Sequence, residues 1–86
     1  MGSITHSTKA IEAIEELIKR RKWVIDKLKE LEAKYGIDSR KFYEKWVKGE
    51  IPELDDPEVH GDFMVWAGLV EELERLDKAL LNKVKG

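Results

Sequence analysis

The densest run of chemically capable side chains is acidic: Glu50, Glu53, Asp55, Asp56, Glu58 and Asp62 fall within thirteen residues that contain no Lys or Arg. Clustered carboxylates can hold a hard cation, and His60 adds an imidazole. The spacing matches no calcium loop, however, and a zinc site wants more than one imidazole or a thiolate. No metal is assigned to the run. Its ordinary uses are turn formation, helix capping and negative charge near a helix start. A sharper use is an acidic surface that docks on a basic partner, with Glu53, Asp55, Asp56 and Glu58 as its candidate contacts.

A second constellation, Lys19-Arg20-Arg21-Lys22-Trp23, joins four cations to an aromatic ring, the combination that grips a nucleic-acid backbone and stacks on a base. Lys19, Arg20 and Lys22 are the residues that would do so. On a helix, four consecutive side chains spread over just more than one turn and do not form one stripe, and Glu15, Glu16 and Asp26 are near enough to neutralise them. A solvated face is the preferred reading. For catalysis the chain offers little: its histidines are His6 and His60, and it holds no glycine-rich phosphate loop, nucleophile elbow or zinc helix motif. It reads as noncatalytic and without a cofactor.

With 86 residues there is one small domain, and such a chain buries only about 60 to 65% of the surface it exposes when unfolded. A second copy or a partner is expected to cover the remainder. The absence of cysteine suits a reducing cytoplasm and rules out disulfides and thiolate ligands. No apolar run approaches the roughly 18 residues of a membrane span, nor does the start resemble a signal peptide. A cytoplasmic protein without membrane attachment is expected. Charged residues make up 40% of the chain, and glutamine is missing, a profile that leans towards a heat-adapted source. The net charge of −2 hides an asymmetry, because residues 1 to 48 hold 12 basic and 8 acidic side chains while residues 49 to 86 hold 4 and 10. The two halves should attract each other.

These side chains sit on elements that the apolar spacing defines. A seam of Ala10, Ile14, Leu17, Arg21, Val24, Leu28, Leu31 and Tyr35 predicts a helix over about 8–35, capped by Ser7 or Thr8 and ended by Gly36, with residues 1–7 expected to be disordered. Ile11, Ile18 and Ile25 widen its stripe beyond what a two-stranded zipper needs, which implies more than one neighbour. Asp38 or Ser39 caps a short helix over about 39–48 that carries Phe42, Tyr43 and Trp46 on one face. Pro52 breaks the connection that follows. A third helix is expected over about 57–84, starting at Pro57 with Asp56 as cap, in preference to a start after Gly61 with Asp62 as cap. Its seam is Val59, Phe63, Trp66, Val70, Leu73, Asp77, Leu80 and Val84.

Each seam is broken once, by a charge of opposite sign. If Tyr35 lies near Phe63 in an antiparallel pair, Arg21 and Asp77 meet fourteen residues further along, as a structural ion pair that sets register. The expected architecture is therefore all-α, a long antiparallel helical hairpin with a short middle helix, assembled as a dimeric bundle. Residues 63 to 70 are apolar around the whole circumference, so Met64 and Val65 point away from the seam and become candidate partner contacts. Trp23 also lies off the seam. It is the candidate anchor for self-association or for a different protein.

Residues 34 to 69, with Lys-Tyr-Gly-Ile-Asp, Phe-Tyr-Glu-Lys-Trp-Val-Lys-Gly-Glu, His-Gly-Asp-Phe and Trp-Ala-Gly-Leu, resemble a phrase of short helical prokaryotic proteins of the antitoxin-like type. The likeness covers about two fifths of the chain and carries no catalytic residues. It implies a protein that binds and blocks a small basic toxin, such as a ribonuclease, through the acidic connection and the apolar helix faces. By shape alone the chain is also similar to the all-helical chorismate mutases, although their pocket wants arginines near the start of the long helix and a Glu or Gln on the last.

Overall fold

The computed structural model describes the backbone of residues 2–52 and 55–85 and the side chains of residues 9–52 and 55–85. Three helices follow one another: α1 (Gly2–Tyr35), α2 (Ser39–Val47) and α3 (Pro57–Lys85). The all-helical reading holds, and α1 packs along α3. None of these helices is long and apolar enough to cross a membrane. One boundary differs from expectation, since α1 begins at Gly2 and Ser7 and Thr8 lie inside it. Nothing between Gly2 and Thr8 forbids helix, and once a nucleus exists each further residue adds its own bond without a second nucleation cost.

The turns are built from local chemistry. Gly36, at φ +68°, ends α1 with its N–H donating to the carbonyl of Glu32 at 2.8 Å. Gly49, at φ +72°, ends α2 in a Schellman arrangement, its own N–H on the Trp46 carbonyl at 3.1 Å and that of Glu50 on the Lys45 carbonyl at 2.8 Å. Both conformations are open to glycine at no steric cost. α3 starts at Pro57, and Asp56 caps it by accepting from the Glu58 N–H at 2.9 Å. The alternative cap, Asp62, lies one turn inside the helix.

α1 and α3 run in opposite directions. The Tyr35 and Phe63 rings meet edge-on at 5.1 Å at the closed end, and further along Arg21 Nε donates to Asp77 Oδ1 at 2.5 Å. The core sits towards the closed end: Val24, Leu28, Phe42, Trp66, Ala67, Leu69 and Leu76 are buried. Here α2 lies against both long helices and covers one side of the stretch of α3 that is apolar all round, leaving Met64 and Val65 exposed. Phe42 stacks on Trp66 at 4.0 Å with the rings within 5° of parallel, and Tyr35, Trp46 and Phe63 complete the aromatic cluster.

The rest of the hairpin has no such cover. The molecule measures 60 × 21 × 18 Å with a radius of gyration of 16.9 Å, against about 12 Å for a compact chain of this length. α2, at nine residues, spans only about 14 Å of that length.

Candidate interaction surfaces

The buried polar side-chain atoms of the cluster at the closed end are all matched. Burying Trp66 takes its indole N–H out of water, and the Ser39 hydroxyl accepts that hydrogen at 2.8 Å. Ser39 is itself buried at the first position of α2, where its backbone N–H donates to Glu32 Oε2 at 2.9 Å. Asp38 occupies the cap position without making a side-chain cap bond, so α1 supplies that cap through Glu32. Sequence spacing offered Asp38 and Ser39 as caps; the acceptor that does the work lies seven residues upstream on another helix, where only the tertiary fold brings it close.

Two sides of the hairpin then differ. On the side away from α2, Trp23 is 44% exposed, with the Arg20 guanidinium 4.3 Å from its ring centre and the Lys27 ammonium at 5.7 Å. Lys27 also borders a shallow depression lined by Leu31, Lys34, Asp62, Val65 and Leu69. Lys34 donates to Asp62 Oδ2 at 2.7 Å and lies 3.7 Å from Glu58. Trp23, Val65 and Glu58 are thus brought onto one strip of the rod, about 24 Å from end to end by helical rise. Met64 is exposed as well, but it projects from the outer surface of α3, about 100° around the helix from Val65. Asp55 and Asp56 are exposed at the start of α3, Asp56 serving as its cap. Glu53 lies outside the described residues.

Charge pairing along the strip holds several groups away from their ordinary titration. Asp62 is kept below the usual carboxylate range by hydrogen bonds from Lys34 and then from the Tyr35 hydroxyl, at 2.5 Å. The same bond raises the Tyr35 phenol, with burial adding to the effect, while Lys34 is raised by its bond to Asp62. Glu72 is lowered by the guanidinium of Arg20, which grips both its oxygens in a fork, the Nη2 to Oε1 arm at 3.0 Å. Arg20 is raised in return by its bond to Glu72. On α2, the Tyr43 phenol is raised by its bond to Glu71 at 2.8 Å and by burial.

These pairings bear on the basic patch. Lys19 lies 3.8 Å from Glu16, Arg20 holds Glu72 and Arg21 holds Asp77. Lys22 lies about 100° around α1 from Trp23, beside the groove on the α2 side of the hairpin. The five residues of the sequence patch therefore do not form one surface, and two cations of α1 itself, Arg20 and Lys27, already lie over the ring on which a base would stack. Arg21 and Asp77, for their part, sit at the margin of the seam with side chains 41% and 50% exposed, and do not form a pair sealed in the core. The cause is the thinness of a two-helix rod: with no third helix at their level, the seam edge faces water.

The acidic run is likewise divided among tasks. Asp56 caps, Asp62 clamps α1 to α3, and Glu58 leans towards Lys34. Among the described residues no group of three or more His, Asp or Glu side chains converges on a point that would hold a metal ion.

On the α2 side, the groove that α2 fills at the closed end continues past it. A cleft of about 380 Å³ beside α2 is lined by Ile25, Leu28, Val70, Leu73 and Asp77 along with Arg40 and Tyr43, and it leads on to Arg21, Ile18 and Leu80. Ile11, Ile18, Leu81 and Val84 are all exposed around this open end. Ile11 and Ile18 belong to the widened stripe read from sequence; Leu81 lies on no seam, and its exposure follows from the lack of a third helix there. No family model matches the chain, and neither the curated proteins nor the solved structures contain a match.

Proposed function

We propose that this chain is a noncatalytic helical module that binds other proteins in the cytoplasm, working in pairs as an antitoxin-like inhibitor of a small basic toxin. The observation that carries this reading is the strip from Trp23 through Val65 to Glu58. It combines an aromatic anchor, an apolar patch and an acidic end on one side of the helical hairpin, the composition of an interface centre with a charged margin. The acidic end, extended by Asp55 and Asp56, suits a partner with a basic surface, such as a protein whose own ligand is a phosphate backbone. Trp23 contributes a large ring already oriented by Arg20 and Lys27, so little side-chain freedom is lost on docking.

Coexpression tests the reading. The chain should copurify with the product of an adjacent small gene and should relieve the growth arrest that this product causes alone. Trp23→Ala should weaken that complex at least tenfold, while its unfolding free energy from urea titration stays within about 0.5 kcal/mol of the parent, as for a surface change. If removing the neighbouring gene product alters neither growth nor the behaviour of this chain, the inhibitor reading is wrong.

A further inference from the structure

We propose that the open stretch of groove on the α2 side is the self-association face, and that it receives the same stretch of a second copy laid in the reverse direction. The inference rests on the paired reading above and is independent of what binds the Trp23 strip.

Surface area is the first reason. The chain exposes 6658 Å², whereas a folded monomer of 10.0 kDa exposes about 5,200 Å². The surplus of roughly 1,400 Å² exceeds the ~800 Å² that each partner buries in a standard interface. Much of what is exposed and apolar is gathered at the open end of the groove, as Ile11, Ile18, Leu81 and Val84.

The occupant follows from the shape and the pattern of that face. Ile11, Ile18 and Ile25 form a row of one residue type at one spacing, so the row reads the same in both directions and reversal sets isoleucine against isoleucine. Isologous contact of this kind is what a two-fold dimer requires. The direction is decided by α2. Two copies aligned in parallel would bring both α2 helices to the same end of the shared groove, where each already occupies the space. Reversal sends them to opposite ends and leaves the bare stretches facing each other. Arg21 and Asp77 neutralise each other within each copy, and Lys22 and Lys29, which also line this stretch, flank Asp26 at its edge.

Sedimentation equilibrium and a cysteine scan test this. At tens of micromolar the parent chain should have twice the 10.0 kDa mass of one chain. Ile18→Glu should weaken the dimer roughly hundredfold by burying a carboxylate in the apolar contact, while leaving the far-ultraviolet helical signal of the dilute protein unchanged. The chain has no cysteine, so Ile11→Cys, Ile18→Cys, Ile25→Cys and Trp23→Cys can each be oxidised as single reporters. An antiparallel contact crosslinks only where the two-fold axis passes, at one place in the isoleucine row. Equal crosslinking at all three isoleucine positions, or crosslinking at Trp23 alone, overturns the arrangement. A dimer that survives Ile18→Glu overturns the face while leaving the pairing intact; a parent chain that stays at single mass overturns the pairing itself.

Discussion

Single residues carry unequal weight here, and burial decides which. Ser39 is small, yet its hydroxyl is the acceptor for the N–H of a fully buried tryptophan. Ser39→Ala leaves that donor unmatched and should cost about 1 to 3 kcal/mol in urea unfolding. Trp66→Phe removes the donor, so in that background the same serine change should cost markedly less; equal losses in both backgrounds would show that the bond is not coupled to stability. Arg21 presents the opposite case. A buried pair stranded by Arg21→Leu would lose several kcal/mol, but with both side chains close to half exposed, water solvates the Asp77 that is left. Measured on dilute, monomeric protein, Arg21→Leu should cost less than about 1 kcal/mol.

Between elements, the clamp of α3 on the end of α1 makes stability depend on pH. Asp62 and Glu72 titrate below their ordinary values of 3.8 and 4.5 because Lys34, Tyr35 and Arg20 favour their charged forms. Groups lowered in this way contribute stability that is fully present above the unfolded values and is lost as pH falls through the folded ones. Thermal midpoints should therefore hold steady from neutral pH to about pH 5 and drop below about pH 4. Asp62→Asn should lower the midpoint at neutral pH and flatten the acid limb, with the two proteins converging at the acid end. A variant that runs parallel to the parent at every pH would remove Asp62 from the account.

Across the whole molecule, stability is graded along the rod. Aromatic stacking and the three-helix contact lie at the closed end, whereas the open end is two helices side by side, with Ile11, Leu81 and Val84 in water. Amide hydrogen exchange should be slowest in α2 and in the α1 and α3 segments against it, and fastest towards Gly2 and Lys85. Protection at the open end should rise with protein concentration if copies meet there, and uniform protection along α1 in dilute protein would contradict the gradient. The gradient also separates tasks, since the Trp23 strip and the isoleucine row occupy different sides and can be engaged together.

Periodicity and turn chemistry alone determined the elements of this protein. Seven-residue apolar spacing made α1 and α3, glycines at Gly36 and Gly49 stopped two helices, and Asp56 with Pro57 began the third. Such features are local, because each depends on neighbours within a turn or two. The opposed positions of Tyr35 with Phe63 and of Arg21 with Asp77 were also legible, since one register relates all four. Only the tertiary structure decided which seam positions are sealed from water, that Glu32 caps a different helix, that Arg20 holds Glu72, and that Trp23 and Val65 share a side while Lys22 does not. Those outcomes depend on how the two long helices are rotated against each other and on where a nine-residue helix comes to rest on them. Burial and side-chain partnership are properties of that placement and of the space it leaves uncovered.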